Sequence, residues 1–181
     1  IRYNDENYKI KIRTKGTRLI HWENKNETSY KIDIRGEKKL FGMEEFSIQK
    51  PITKNYTYEY LFHKLLGHVG LANIKYFFVN LYSNNENLGV YAVEESFSKE
   101  LIERQSRRNG PIFSTKDELG ELFPNIAFDL YSRDYWIEEK PQLISNLFSI
   151  LNNIKDKNFN INSYFDIDKW AKYFAIMDLT G

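Results

Sequence analysis

Two stretches near the start of the chain alternate strictly between apolar and charged residues. Tyr8, Ile10 and Ile12 are separated by Lys9 and Lys11, with Arg13 following; Tyr30, Ile32 and Ile34 are separated by Lys31 and Asp33, with Arg35 following. A period of two is the mark of a strand with one face buried. Thr14 to Gly16 reads as a turn, Leu19 to Trp22 as a second short extended piece, and residues 23–28 as a polar loop. Phe46 to Gln49 reads as a further strand, closed by Pro51. The period then lengthens. Tyr58, Leu61, Phe62, Leu65, Leu66 and Val69 recur at helical spacing, predicting a helix over 55–70 that lays this stripe on a sheet, with Gly67 and Gly70 as stop signals. Ile74 to Tyr82 is apolar on both faces, which predicts an inner strand. Residues 83–87, Ser-Asn-Asn-Glu-Asn, are hairpin-turn chemistry, and Leu88 to Glu95 forms the return strand.

From Ser96 onward the strand signals give way to helical ones. Ser98 is placed to cap a helix running to Arg108, which Asn109-Gly110-Pro111 would end. Ile112-Phe113 reads as a short strand, and residues 114–135 carry no clear period. Pro141 to Asp156 is amphipathic, with Leu143, Leu147, Leu151 and Ile154 on one face. Asp166 is placed to cap a last helix containing Ile167, Trp170, Ala171, Phe174 and Met177. Sheet first and helices second predicts an α+β fold with a mainly antiparallel sheet. The division follows the change of pattern: residues 1–95 as a sheet-plus-helix lobe, and 96–181 as the start of a helical lobe.

The chain has 181 residues, enough for a real core, and its 41% hydrophobic and 16% aromatic content belongs to a folded protein. Its 26 basic residues nearly balance its 25 acidic ones, so no global field points to nucleic acid or an anionic membrane. There are no cysteines, which excludes disulfides and thiolate metal sites. No apolar run has the length of a membrane span. The chain opens on Ile1 without an initiating Met, and reads as a piece of something longer.

Candidate chemistry centres on two residues. Lys31 lies on the polar side of a strand, and Glu59 stands at the border of the helical stripe. A strand lysine followed by a helix glutamate is the order in which kinases hold nucleotide phosphates. The bland alternative is a solvated lysine, and a glutamate favoured by the helix dipole. The histidines, His21, His63 and His68, lack any zinc spacing. Asp166 and Asp168 are better explained as a helix cap and first-turn residue than as metal ligands. Arg104, Arg107 and Arg108 read as a solvated face.

Three ordered segments carry a family resemblance: Gly42 to Gln49 (GMEEFSIQ), Glu59 to Gly70 (EYLFHKLLGHVG) and Gly89 to Glu95 (GVYAVEE). With the flanking KIDI and FDIDKWAKYFAIMD, they resemble the CotH (spore-coat protein H) kinase family over most of the chain. The resemblance implies a kinase-like N-lobe followed by the first helices of a second lobe. It further implies ATP-dependent phosphoryl transfer to protein hydroxyls, with ATP and Mg or Mn as cofactors, and a nucleotide and a protein substrate as partners. It places Thr14-Lys15-Gly16-Thr17-Arg18 at an Arg-Gly turn of the family, where Gly16 and Arg18 would approach phosphates, and Glu95 near a nucleotide-contacting hinge. The family's lysine pair ahead of Ser29 is absent, with Glu27-Thr28 in its place, so Lys25 stands as second candidate to Lys31. The family's metal-binding carboxylates are expected beyond Gly181, which leaves this chain inactive by itself. A non-catalytic pseudokinase or surface binding module is the alternative. A carbohydrate-binding sheet, suggested only by 13 Tyr, 13 Phe and 3 Trp, ranks below both.

Overall fold

The structure is a computed structural model and describes residues 1–16, 28–116, 127–154 and 156–180. The chain divides into two compact units, Ile1–Ser96 with Ala171–Gly181, and Phe97–Trp170.

The first unit opens with a small hairpin, β1 (Arg2–Tyr3) and β2 (Glu6–Asn7), whose turn residues Asn4 and Asp5 take φ of 47° and 63°. Asn and Asp tolerate this left-handed pair, which suits a two-residue turn. Five strands then form one antiparallel sheet: β3 (Ile10–Thr14), β4 (Tyr30–Ile34), β5 (Glu45–Gln49), β6 (Tyr76–Ser83) and β7 (Glu86–Glu95), in the order β3-β4-β5-β7-β6. The β6–β7 hairpin turns at Asn84 and Asn85, again at positive φ. A register shift follows at Leu81/Tyr82, where Gly89 at φ 81° absorbs the extra residue. The predicted extended piece at Leu19 to Trp22 lies outside the described residues.

Register sorts the side chains. Ile32 pairs with Phe46, Phe46 with Glu95, and Ile48 with Val93, so these residues share a face. That face is the core: Ile32, Ile34, Phe46, Ile48, Tyr91 and Val93 are buried with Leu40 and Met43. The cover comes from the loop between β4 and β5, closed by a Leu40–Met43 bridge, and from aromatic contacts of Phe41 with Tyr3, Phe46 and Phe77.

Helix α1 (Tyr58–His68) starts later than the apolar pattern predicts. A 3-10 turn, Pro51–Lys54, precedes it, and Asn55 and Tyr56 break the helical path with φ of 49° and 61°. The helix meets the opposite face of the sheet through Tyr60 against Phe78 and His63 stacked on Tyr76. The predicted stripe does not pack on the sheet. Tyr58, Leu61 and Leu65 are exposed, while Leu66, partly buried Phe62 and Val69 pack with Leu71 and Ile176. The physical reason is that Leu40, Phe41 and Met43 already fill the apolar face of the sheet, so the stripe finds the C-terminal segment of the last helix instead. β6 likewise lies at the sheet edge, not inside as predicted. Its apolar residues serve two partners, Phe77 and Val79 the core and Tyr76 and Phe78 the helix.

The second unit contains α2 (Lys99–Arg104), a hairpin of β8 (Phe113–Lys116) and β9 (Ala127–Leu130), α3 (Arg133–Glu139), α4 (Pro141–Asn153) and the start of α5 (Ile167–Thr180). α2 ends before Arg108, because Ser106 turns out at φ 51°. Leu130, Trp136 and Ile144 form its core cluster. In α4 the buried residues are Ile144 and Leu151, while Leu143 and Ile154 of the predicted face are exposed. Asp166 caps α5 as expected, its Oδ1 accepting from the Lys169 N–H at 3.1 Å. The fold is α+β, with a mostly antiparallel sheet and a helix packed on it, the arrangement of a kinase-like N-lobe.

Leu65 and Leu66 are neighbours with opposite surroundings, 37% and 3% exposed. Leu66→Ala is expected to cost about 2–5 kcal/mol in urea unfolding, as loss of a buried side chain does. Leu65→Ala is expected to cost less than about 1 kcal/mol in the same experiment.

Candidate functional site

The face of the sheet opposite the core is polar. Across it runs one cross-strand row: Arg13 opposite Lys31, Lys31 opposite Ser47, Ser47 opposite Glu94, and Glu94 opposite Tyr76. Residues two positions away along each strand share this face. Lys11, Asp33, Glu45, Gln49 and Phe78 therefore belong to it, and helix α1 rests on its β6 side.

Two charge clusters divide this face. In the first, Lys31 Nζ lies 2.5 Å from Glu45 Oε1, and Arg13 reaches Glu45 at 3.7 Å and Asp33 at 4.0 Å. Arg35 adds a 3.9 Å pair with Asp33. In the second, Lys15 Nζ donates to Glu94 Oε1 at 3.1 Å, while Gln49 Nε2 donates to Glu94 Oε2 at 2.6 Å. Lys15 continues the extended path of β3, its N–H bonded to the Ser29 carbonyl at 2.8 Å. Gln49 is wholly buried, and its Oε1 has no hydrogen-bond partner among the described residues.

Tyr76 connects this second cluster to α1. Burial first, and then the nearby carboxylates of Glu94 and Glu59, push its hydroxyl well above the usual phenol range. Gln49 acts against that shift, although no hydrogen bond of good geometry joins it to the hydroxyl. On the helix, His63 Nε2 donates to Glu59 Oε1 at 3.2 Å, one turn away. The Ile74 N–H points at His63 Nδ1 over 3.5 Å, which fixes Nδ1 as the acceptor. Lys54 lies 3.7 Å from the same Glu59 oxygen. Glu59 borders an open groove of about 310 Å³ with Lys54, Tyr58, Phe62, Tyr173 and Met177.

The residues singled out from the sequence thus fall in different places. Lys31 and Glu59 are not in contact: Glu45 holds the first, and His63 with Lys54 holds the second. Gly16 is exposed at the end of β3 with φ 95°, a conformation open to glycine. Arg18 and Lys25 lie outside the described residues, as does His21. Glu95 faces the core side, is buried, and accepts the Lys75 N–H at 2.7 Å. Its neighbour Glu94 is the one on the polar face, as alternation along a strand requires. Lys15, Gln49 and Glu94 form a constellation that motif reading missed. The signal was present, because the alternation of Lys11 and Arg13 carries on to Lys15. Among the described residues no group of three or more His, Asp or Glu is placed to hold a metal ion, and no helix is long and apolar enough to cross a membrane.

The His63 hydrogen bond, the largest influence, lowers the pKa of Glu59 below its ordinary 4.5, with burial opposing and Lys54 assisting. A carboxylate with a depressed folded-state value contributes stability above its unfolded value and loses it as pH falls through the folded one. Glu59→Gln is therefore expected to be less stable than the parent at pH 7. The gap between the two should shrink steadily below about pH 4.5 in urea midpoints measured as a function of pH.

Comparison with known proteins agrees with this architecture. Curated proteins give no match, but the family model described as CotH kinase protein matches residues 12–181, nearly the whole chain. The chain belongs to the CotH kinase family.

Proposed function

We propose that this chain carries the nucleotide-binding part of an ATP-dependent protein kinase, acting on protein hydroxyls. The observation that carries the reading is the polar sheet face, where Lys11, Arg13, Lys15, Lys31 and Arg35 outnumber Asp33, Glu45 and Glu94. Transfer of a phosphoryl group depends mainly on positioning and on neutralising charge, and a rigid basic sheet face suits both needs. Within this reading Gly16 and Arg18 approach the phosphates, and a cation of the early strands meets them, Lys31 being the one nominated by sequence order. Sequence order likewise nominates Glu59 as the carboxylate partner, and Glu95 marks the end of β7 beside the nucleotide. The Glu95 carboxylate itself is buried and accepts the Lys75 N–H, and the Glu95 N–H donates to the Lys75 carbonyl.

ATP supplies the phosphoryl group, and the cations and exposed glycine on this face fit its phosphates. Magnesium or manganese belongs to the family reading, but the described carboxylates do not form a metal site. Glu94 is taken by Lys15 and Gln49, and Glu59 by His63 and Lys54.

The test uses the full-length protein containing this chain, with ATP, magnesium or manganese, and a generic protein acceptor. Metal-dependent movement of the labelled terminal phosphate to acceptor hydroxyls is expected. ATP binding without transfer would place the protein with non-catalytic binding modules, and failure to bind ATP would reject the nucleotide reading.

A further inference from the structure

We infer that Lys15 and Glu94, rather than Lys31 and Glu59, form the ion pair that meets the nucleotide phosphates. This rests on the nucleotide reading above and names the residues that carry it.

A phosphate-binding lysine must be held in place and yet present an exposed donor. Among the described residues Lys15 Nζ has a single carboxylate oxygen, that of Glu94 at 3.1 Å, with the lysine and glutamate side chains 27% and 19% exposed. Its two remaining ammonium donors can turn to a ligand. Lys31 is tied instead to Glu45, a carboxylate that Arg13 also contacts, in a network at the far side of the cross-strand row from α1. An anion there would compete with two acidic groups, Glu45 and Asp33, already neutralised by neighbours.

Glu94 is itself held from behind. Its other oxygen is fixed by Gln49 at 2.6 Å, from a side chain with no exposure at all. A buried amide that spends its N–H on orienting a carboxylate, and keeps a buried Oε1 without a partner among the described residues, is an unusual investment in a strand. It holds Glu94 rigidly on β7, so the carboxylate role falls to the sheet and not to α1. Glu59, one turn from His63 and bonded to it, is committed to the helix and its groove.

Lys15 is followed directly by Gly16, exposed and at φ 95°, a backbone conformation that glycine adopts readily. A cation next in sequence to an exposed glycine is a combination that phosphate oxygens use.

The experiment measures the affinity of ATP and of adenosine for the parent protein and for Lys15→Ala, Lys15→Arg, Glu94→Gln, Lys31→Ala and Lys38→Ala, with a melting temperature for each. Lys38 pairs with Glu6 on the exposed N-terminal hairpin and serves as charge control. Lys15→Ala is expected to weaken ATP by about tenfold or more while leaving adenosine unchanged. Lys15→Arg should retain most of the ATP affinity, Glu94→Gln should fall between, and Lys31→Ala should lose less than Lys15→Ala. A larger ATP loss in Lys31→Ala would overturn the assignment and leave the nucleotide reading standing. So would equal losses of ATP and adenosine in Lys15→Ala, the pattern of a structural role. A parent protein that binds neither ligand would overturn the assignment together with the nucleotide reading.

Discussion

The register of β5 between β4 and β7 is the constraint on which the first unit depends. It puts Phe46 and Ile48 on the same face as Ile32, Val93 and Tyr91, and it puts Ser47 and Gln49 on the other. A slip of one residue would bring Gln49 and Ser47 into the core and push Phe46 into the charged row. The packing of Leu40 and Met43 resists such a slip, because both sit against residues of the correct face only. The polar constellation is held in place by the same contacts that make the core. Its precision derives from hydrophobic burial on the reverse side of one layer.

The strands were legible because alternation is a strong and local signal, and the five-strand sheet follows from Ile10, Ile32, Phe46 and Val93 almost directly. The helix was legible as a helix but not in its orientation. A stripe such as Leu61, Leu65 and Leu66 reports that one side of a helix is apolar and says nothing about which surface competes for it. Here the β4–β5 loop had taken the sheet, an arrangement that depends on Leu40 and Met43 and has no periodic trace. β6 was misread for a related cause: two-sided apolarity signals two covered faces, and an edge strand under a helix satisfies that as well as an inner strand does.

The site was legible by segment and not by pair. Strand and helix order drew attention to Lys31 and Glu59, and family likeness to Gly16, Arg18 and Glu95; each except Arg18 falls among the described residues. What sequence order cannot supply is the diagonal reach across strands that joins Lys15, Gln49 and Glu94, residues 79 and 45 positions apart along the chain in its two bonds. Strand alternation does separate Glu94 from Glu95, so two adjacent carboxylates take opposite duties. One orients charge on the polar face, and the other closes a backbone hydrogen bond at Lys75.

The first unit is discontinuous along the chain. Its Leu66–Leu71 cluster is completed by Ile176, more than a hundred residues later, with the whole of Phe97–Trp170 in between. During synthesis the sheet and its core can form as soon as β7 has emerged, since every strand contact is made by then. The outer side of α1, in contrast, must wait, with Leu66 and Phe62 uncovered, until α5 arrives. Closing so long a loop is slow and entropically costly, and the apolar surface left open meanwhile is a natural target for a chaperone or a wrong partner.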